Sequence, residues 1–165
     1  MAIITLNNNS LSSITALPAG VGGKVLQVVY SSTTTEKVVS SATFVDTGLS
    51  ASITPSATSS KILVICEISS VGKANSNTWV KLKLLRGDTD LITFTEEAGA
   101  DGGSGTNKVG NSGASYLDSP NTTSSVNYDF RVIDDSNGVQ TVYWNRSSSG
   151  KFSKTSSMTL MEIGA

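Results

Sequence analysis

The chain has 165 residues, a formal net charge of -1 at pH 7, one cysteine and no histidine. This length suits one globular domain. Its 38% hydrophobic fraction supplies a β-domain core despite the abundance of Ser, Thr, Asn and Gly, which argues against global disorder. Without histidine, and with a single cysteine, the chain lacks the residues for structural zinc, an intramolecular disulfide, or Ser-His-Asp or Cys-His catalysis.

The charge and apolar patterns exclude further classes of partner. Lys and Arg are scattered, so no basic patch favours nucleic acid. The longest apolar run, 62–66, is far shorter than the roughly 20 residues that a membrane-spanning helix needs. Residues 1–9 lack the basic start and apolar stretch of a secretory signal, so the Asn-X-Ser/Thr motifs carry no weight as glycosylation sites.

Apolar and polar residues alternate with a period of two along most of the chain, which predicts an all-β fold. The first strand is predicted at 24–30. It is apolar on both faces, so we expect it to be buried on both sides or to lie at an interface. Strands at 42–46 and 49–54 follow, and Pro55 begins a turn because proline cannot donate to a strand ladder.

A central strand is predicted at 61–69, where every second residue is apolar on one face and most are apolar on the other. We interpret Cys66 as a small core residue, since no cationic neighbour in the sequence would activate its thiol. The segment 79–86 alternates apolar residues with lysines, which predicts a half-solvated strand. Another strand is expected near 91–95.

The segment 96–113 is rich in glycine and nearly free of apolar residues, which predicts a long loop that is mobile or shaped for a function. Further strands are predicted at 114–118, 126–133, 139–146 and 157–163, with an Asn-Gly hairpin turn at 134–138. About nine strands at this spacing predict a single-domain β-sandwich, jelly-roll-like in type, over residues 24–165.

Residues 1–23 differ from the rest of the chain and are predicted to form an N-terminal arm. They contain apolar residues, of which Ile14, Leu17 and Pro18 are the docking candidates, and they end in a glycine-rich stretch without an obvious partner strand. Two interpretations stay open: a flexible arm, or a docking peptide that orders against a neighbouring chain.

Several carboxylates lie close together in the sequence without forming a recognisable catalytic or metal site. The acidic pairs at 96–97 and 134–135 are adjacent, so on a strand their side chains point to opposite faces and do not serve as the two acids of a glycosidase. The segment 88–90 and Asp101 offer oxygen ligands for calcium but lack the spacing of known calcium loops. The glycine cluster 102–105 lacks the lysine and helix of a phosphate loop. We predict no enzymatic activity, no metal and no cofactor.

Tyr143 and Trp144 are the candidate ligand or interface aromatics. They are neighbours on one predicted strand, so their side chains face opposite sides, and we expect one of them at the surface or at a subunit interface. In that position it would stack on a sugar ring or anchor a subunit contact.

Seven short blocks, spread over essentially the entire chain, carry a family resemblance. In one-letter code they are ITALPAG (14–20), GKVLQVV (23–29), DTGLSASITP (46–55), TSSKILV (58–64), LKLLRG (82–87), YLDSP (116–120) and TLMEI (159–163). This ordered series resembles a module of virion structural proteins from marine tailed phages, notably cyanophages. The segment 96–113 matches no block of that family.

The resemblance implies a non-enzymatic β-sandwich appendage, homotrimeric, made in the host cytoplasm and displayed on the tail or capsid of the virion against other phage proteins. The short chain has no extended shaft, which favours a short tail fibre, a knob or a head decoration protein. Threefold association would also cover the second apolar face of the strands at 24–30 and 61–69. The alternative is a receptor-binding module for host surface carbohydrate, and a glycan-cleaving depolymerase is disfavoured by the unpaired acids.

Overall fold

The computed structural model describes residues 24–75, 78–98, 108–136, 140–146 and 154–164. These residues form ten strands and no helix. In chain order the strands are β1 (Val25–Thr33), β2 (Lys37–Val39), β3 (Val45–Ile53), β4 (Lys61–Lys73), β5 (Val80–Arg86), β6 (Thr89–Ala98), β7 (Lys108–Asp118), β8 (Val126–Asp134), β9 (Val142–Trp144) and β10 (Ser156–Ile163).

The strands form two antiparallel sheets. Sheet A has the order β1-β10-β4-β9-β2, and β7 pairs with the opposite side of β4. Sheet B has the order β3-β8-β5-β6. The chain crosses repeatedly between the sheets, so that β1, β10, β4 and β7 lie against β3, β8, β5 and β6 as in a jelly roll. The prediction of an all-β, single-domain β-sandwich is confirmed.

The core lies between the sheets, because the long strands place apolar residues on their inward faces. Phe130 of β8 occupies its middle, with its ring centroid 5.2 Å from that of Phe94 and 5.6 Å from that of Trp144. The fully buried apolar residues around it include Leu49, Ile62, Val64, Leu82, Leu84, Tyr128, Val132, Met158 and Leu160. β4 supplies residues to this core along most of its length, which confirms its prediction as a central strand.

The prediction of a loop over 96–113 is wrong at both ends of that segment. β6 continues to Ala98, β7 begins at Lys108, and β7 pairs with β4 from Lys108 onwards. Pairing along the whole of β4 outweighs the poor strand propensity of glycine. At Gly113 an added Cβ would lie 3.2 Å from the backbone oxygen of Cys66, so glycine there permits close approach of the two strands.

The predicted hairpin at 134–138 is also wrong. β8 belongs to sheet B and β9 to sheet A, so this segment crosses between the sheets and does not join two paired strands. The strand predicted at 139–146 is shorter in the structure, where β9 covers only Val142–Trp144. The strands predicted at 42–46 and 49–54 are one strand, β3, whose register shifts between Asp46 and Ser50 where Gly48 has a φ of +80°.

In the described part of the chain, β1 is an edge strand of sheet A and pairs with β10. Its inward residues Gln27 and Val29 are partly buried, whereas Leu26, Val28 and Tyr30 are exposed. Within the described ranges, β1 is therefore not buried on both faces. The expectation that it lies at an interface stays a prediction.

The sandwich has a proximal end, where the first and last described residues meet. The Gly164 N–H donates to the backbone oxygen of Lys24 at 2.8 Å. The start of β1 and the end of β10 lie beside the start of β4, since Val25 pairs with Ile163 and Ile163 pairs with Lys61.

The opposite, distal end collects the connections β4–β5, β6–β7 and β8–β9. The strand ends that they join lie together there, because the end of β4 pairs with the starts of β7 and β9, and the start of β5 pairs with the ends of β6 and β8. Backbone bonds tie two of these connections together: the Ala74 N–H donates to Thr141 at 2.8 Å, and the Asp135 N–H donates to Trp79 at 2.9 Å. Loops grouped on a rigid scaffold in this way are suited to carry binding residues.

Candidate functional site

Tyr143 and Trp144 face opposite sides of β9, as the alternation predicts. Trp144 is fully buried beside Phe130, so the prediction of a surface role is corrected for this residue. Tyr143 is partly exposed and pairs with exposed Val38 on β2. The guanidinium carbon of Arg146 lies 4.7 Å from the centroid of the Tyr143 ring, a cation–π arrangement. A ligand or interface role for Tyr143 stays a prediction.

The other sequence candidates are distributed differently. Ile14, Leu17 and Pro18 lie outside the described residues, as do Asp101 and the glycine cluster at 102–105. The docking prediction for Ile14, Leu17 and Pro18 therefore stays a prediction, as does the expectation that no calcium binds at Asp101. Cys66 lies in the core, where burial raises the pKa of its thiol to about 12.

The described acids at the turns have structural contacts. Asp90 accepts two bonds from Lys83 Nζ, at 2.7 and 2.9 Å. Asp134 is fully buried and accepts from the Ser136 N–H at 3.0 Å and the Gln140 N–H at 2.8 Å, so it fixes the turn after β8. Within the described ranges, no group of three or more Cys, Asp or Glu residues could hold a metal ion.

A buried carboxylate joins the two sheets near the proximal end. Asp118 Oδ2, on β7 of sheet A, accepts from the Tyr128 hydroxyl at 2.7 Å and from Arg86 Nη1 at 2.6 Å, both on sheet B. Burial, followed by the bond to Asp118, raises the pKa of Tyr128, so the hydroxyl stays a donor. The group fixes the separation of the sheets at this end.

Glu162 forms a second buried polar group at the proximal end. One of its oxygens accepts from the Ser56 N–H at 2.7 Å and the Ser56 hydroxyl at 2.6 Å, and the other accepts from Gln27 Nε2 at 2.6 Å. These bonds, of which the Ser56 hydroxyl contributes most, lower the pKa of Glu162 to about 2. The carboxylate connects β10 to β1 and to the β3–β4 turn.

Asn145 and Ser156 form a third buried group at the side of sheet A. Asn145 has a φ of +55°, and its Nδ2 donates to the backbone oxygens of Thr33 and Thr35 at 3.1 and 3.2 Å. Its Oδ1 accepts from the Ser156 hydroxyl at 2.5 Å, and that hydroxyl in turn accepts from the Ser69 N–H at 3.0 Å. The group stabilises the β1–β2 and β9–β10 connections.

Sequence reasoning missed these three groups, although Glu162 had a signal. It follows Met158 and Leu160 at a spacing of two, so alternation places it on the inward face. Arg86 is 32 residues from Asp118, and Thr33 and Thr35 are 112 and 110 residues from Asn145, so only the sheet order brings these partners together.

The solvent-facing sides of the two sheets differ in chemistry. On sheet B the outward residues include Lys83, which pairs with Asp90, and Arg131, whose Nε lies 2.6 Å from Asp129 Oδ2. On sheet A, apolar residues lie in the middle of the outward face. One row crosses four strands in register, as Val28, Met161, Leu63 and Leu117.

The next row on sheet A is formed by Tyr30, Thr159, Ile65 and Ser115. We call these two rows the apolar patch. Val28, Tyr30 and Leu117 are 56%, 64% and 52% exposed, so much of the patch faces solvent in a single copy. Such a surface is typical of an interaction site.

Comparison with known proteins identified no relative: no protein-family model and no curated protein matches the chain. Among the described residues there is no helix with the length and hydropathy needed to cross a membrane.

Proposed function

We propose that the protein is a non-enzymatic virion structural protein of a tailed phage, displayed at the particle surface as a short fibre, knob or decoration protein. The observation that carries the proposal is that the two ends of the sandwich differ. Lys24 and Gly164 are hydrogen-bonded neighbours at one end, and the strand ends joined by the β4–β5, β6–β7 and β8–β9 connections lie at the other. A domain attached at its proximal end presents the distal connections to the surroundings.

The ordered series of sequence blocks that resembles a module of cyanophage virion proteins supports this function. The three buried polar groups agree with it as well, because they fix the sheets and connections of the domain. In the proposal, residues 1–23 attach the sandwich to the particle, with Ile14, Leu17 and Pro18 as the contacting residues, and the protein works as a homotrimer.

The test of the attachment is incorporation into phage particles, scored by immunoblot of purified virions. We expect the full-length chain to be incorporated and Leu17→Asp to be lost from particles by at least tenfold while remaining folded. Ser12→Asp, which adds the same charge in the same segment at a polar position, serves as the control. Equal incorporation of Leu17→Asp and the wild type would contradict the proposed attachment.

A map of the whole particle by cryo-electron microscopy then assigns the position. Copies arranged icosahedrally on the shell would identify a head decoration protein. Copies around the tail would identify a fibre or adaptor used in host attachment. Absence of a sandwich-shaped density from all sites of the particle would contradict a virion role.

The second candidate function is recognition of host surface carbohydrate, and the exposure of Tyr143 beside Arg146 favours it. An aromatic ring with an adjacent donor is suited to bind a sugar. We expect Tyr143→Ala to weaken binding to isolated host polysaccharide by at least tenfold, measured by sedimentation with the polymer. Val38→Ala, on the paired strand, is the control. Unchanged binding by Tyr143→Ala would contradict this role, and release of reducing ends would instead indicate a depolymerase.

A further inference from the structure

Among the described residues, the outer face of sheet B has no counterpart of the apolar patch. Half-solvated antiparallel sheets normally place polar residues outward, as sheet B does with Lys83, Arg131 and Asp90. Sheet A instead presents Val28, with more than half of its side chain exposed, in register with Met161. The same protein thus has one outer sheet face suited to water and one suited to a partner.

The dimensions of this face match a contact between proteins. Its four strands, β1, β10, β4 and β7, are spaced about 4.8 Å apart, and β1 is nine residues long at about 3.3 Å per residue. The face is therefore about 19 Å by 30 Å, on the order of 600 Å². Stable complexes bury from about 600 to 1,000 Å² on each partner, so the face alone reaches the lower end of that range.

The arrangement of polar residues is that of an interface. The apolar patch lies at the centre, and a polar row of Ser32, Ser157, Glu67 and Gly113 follows it on the distal side. Lys61 lies on the same face of β4, six residues before Glu67, and is exposed like it. The outward face of β4 thus has one charge of each sign, so two such faces can approach without a build-up of like charge.

We propose that a second copy of this chain covers the outer face of sheet A, with Val28, Tyr30, Leu63, Met161 and Leu117 at the centre of the contact. The inference rests on the proposed function only in that the protein works as an assembly of identical chains. It adds the surface through which the copies meet. The balanced charge and the area of the face both support a copy of the same chain as the occupant.

The test compares two valines of nearly equal exposure on the same sheet. Val28, at 56%, lies in the apolar patch, and Val38, at 58%, lies on β2. Val38 pairs with Tyr143, which in turn pairs with Gly72 of β4. Gly72 is nine residues along β4 from Leu63 of the patch, a separation of about 25–30 Å between these two residues. Both side chains are more than half exposed, so Val28→Glu and Val38→Glu compare a charge placed within the patch with a charge placed outside it.

The measurement is the mass of the full-length protein by size-exclusion chromatography with light scattering over a hundredfold range of concentration. We expect the wild type to be oligomeric. Val28→Glu and Leu117→Glu should weaken self-association by at least tenfold, and Val38→Glu should stay within twofold of the wild type. Circular dichroism and thermal melting of each variant confirm that the fold is retained.

Three results would overturn the inference: a wild type that is monomeric throughout, an oligomer that Val28→Glu leaves intact, or equal losses from Val28→Glu and Val38→Glu. A Val28→Glu protein that is monomeric because it has unfolded is recognised by its melting curve, and Leu117→Glu on the opposite strand then decides. The particle experiments test the proposed function separately. If the protein forms an oligomer through this face but does not join virions, the proposed function is contradicted and the proposed contact between copies is not.

Discussion

The Tyr128 hydroxyl donates a hydrogen bond of 2.7 Å to Asp118 Oδ2, from β8 of sheet B to the last residue of β7 in sheet A. The ring lies wholly within the core, and Arg86, which pairs with Tyr128 in sheet B, is the second donor to the same oxygen. Two neighbouring strands of sheet B therefore share one buried acceptor from sheet A at the proximal end.

Replacing Tyr128 by Phe removes this donor and keeps the ring. We expect the free energy of unfolding to fall by about 1–2 kcal/mol, because the buried carboxylate loses one of its partners. Urea denaturation measures the change. Tyr30→Phe removes the same hydroxyl from a residue that is 64% exposed and should have almost no effect. Equal effects of the two substitutions would contradict a special role for the bond.

Glu162 makes a pH-dependent contribution to stability. Its pKa of about 2 in the folded protein is below the ordinary value of about 4.3 in the unfolded chain. The stabilisation is therefore fully present above about pH 4.3 and is lost as the pH falls through the folded value near 2. Glu162→Gln should cost about 1–3 kcal/mol at pH 7.

The measurement is the urea midpoint of both proteins between pH 2 and pH 7. The difference between wild type and Glu162→Gln should narrow as the pH falls below 4.3. Glu67→Gln, at an exposed position on β4, controls for the general effect of losing a carboxylate. A difference that is constant over this range would show that the charge of Glu162 is not the stabilising feature.

Substitutions of Trp144 and Tyr143 should have very different effects on the free energy of unfolding, because one side chain lies in the core and the other faces outward. Trp144→Ala leaves a cavity beside Phe130 and should lower the free energy of unfolding by about 3–5 kcal/mol. Tyr143→Ala, on the other side of the same short strand, should cost less than about 1 kcal/mol. Denaturation curves of the two variants test this directly. A small effect of Trp144→Ala would contradict its position in the core.

Cys66 should be inert in the native state. Burial raises the pKa of its thiol to about 12, so very little thiolate exists at pH 8, and reagents lack access to the sulfur. We expect labelling by a thiol-specific reagent to be at least a hundredfold faster in 8 M urea than in buffer. Comparable rates in both solutions would show that β4 opens readily.

The sequence predicts the fold class because alternation is a local property, and β4 and β10 show it clearly. It fails at 96–113, where glycine content predicts a loop, but pairing with β5 extends β6 and pairing with β4 extends β7. It also fails at 134–138, since a turn signal does not reveal whether the next strand joins the same sheet or the opposite one.

In the candidate site too, local alternation is predictable from the sequence and the pairing of distant strands is not. Alternation predicts that Tyr143 and Trp144 point to opposite sides, but only the sheet order shows which side is the core. The expectation that β1 lies at an interface stays a prediction, since the structure shows only that Val28 and Tyr30 are exposed. The row formed by Val28, Met161, Leu63 and Leu117 could not be predicted, because register between distant strands is not encoded in any single segment.

The bond between Gly164 and Lys24 has a mechanical consequence. A force that separates these two residues acts at one end of the β1–β10 pair and peels its hydrogen bonds apart one after another. A force between Lys24 and the distal connections acts along β1 instead, so the same bonds resist it together by shear. A domain tethered through Lys24 and pulled at its distal end therefore withstands far more tension than one stretched between Lys24 and Gly164.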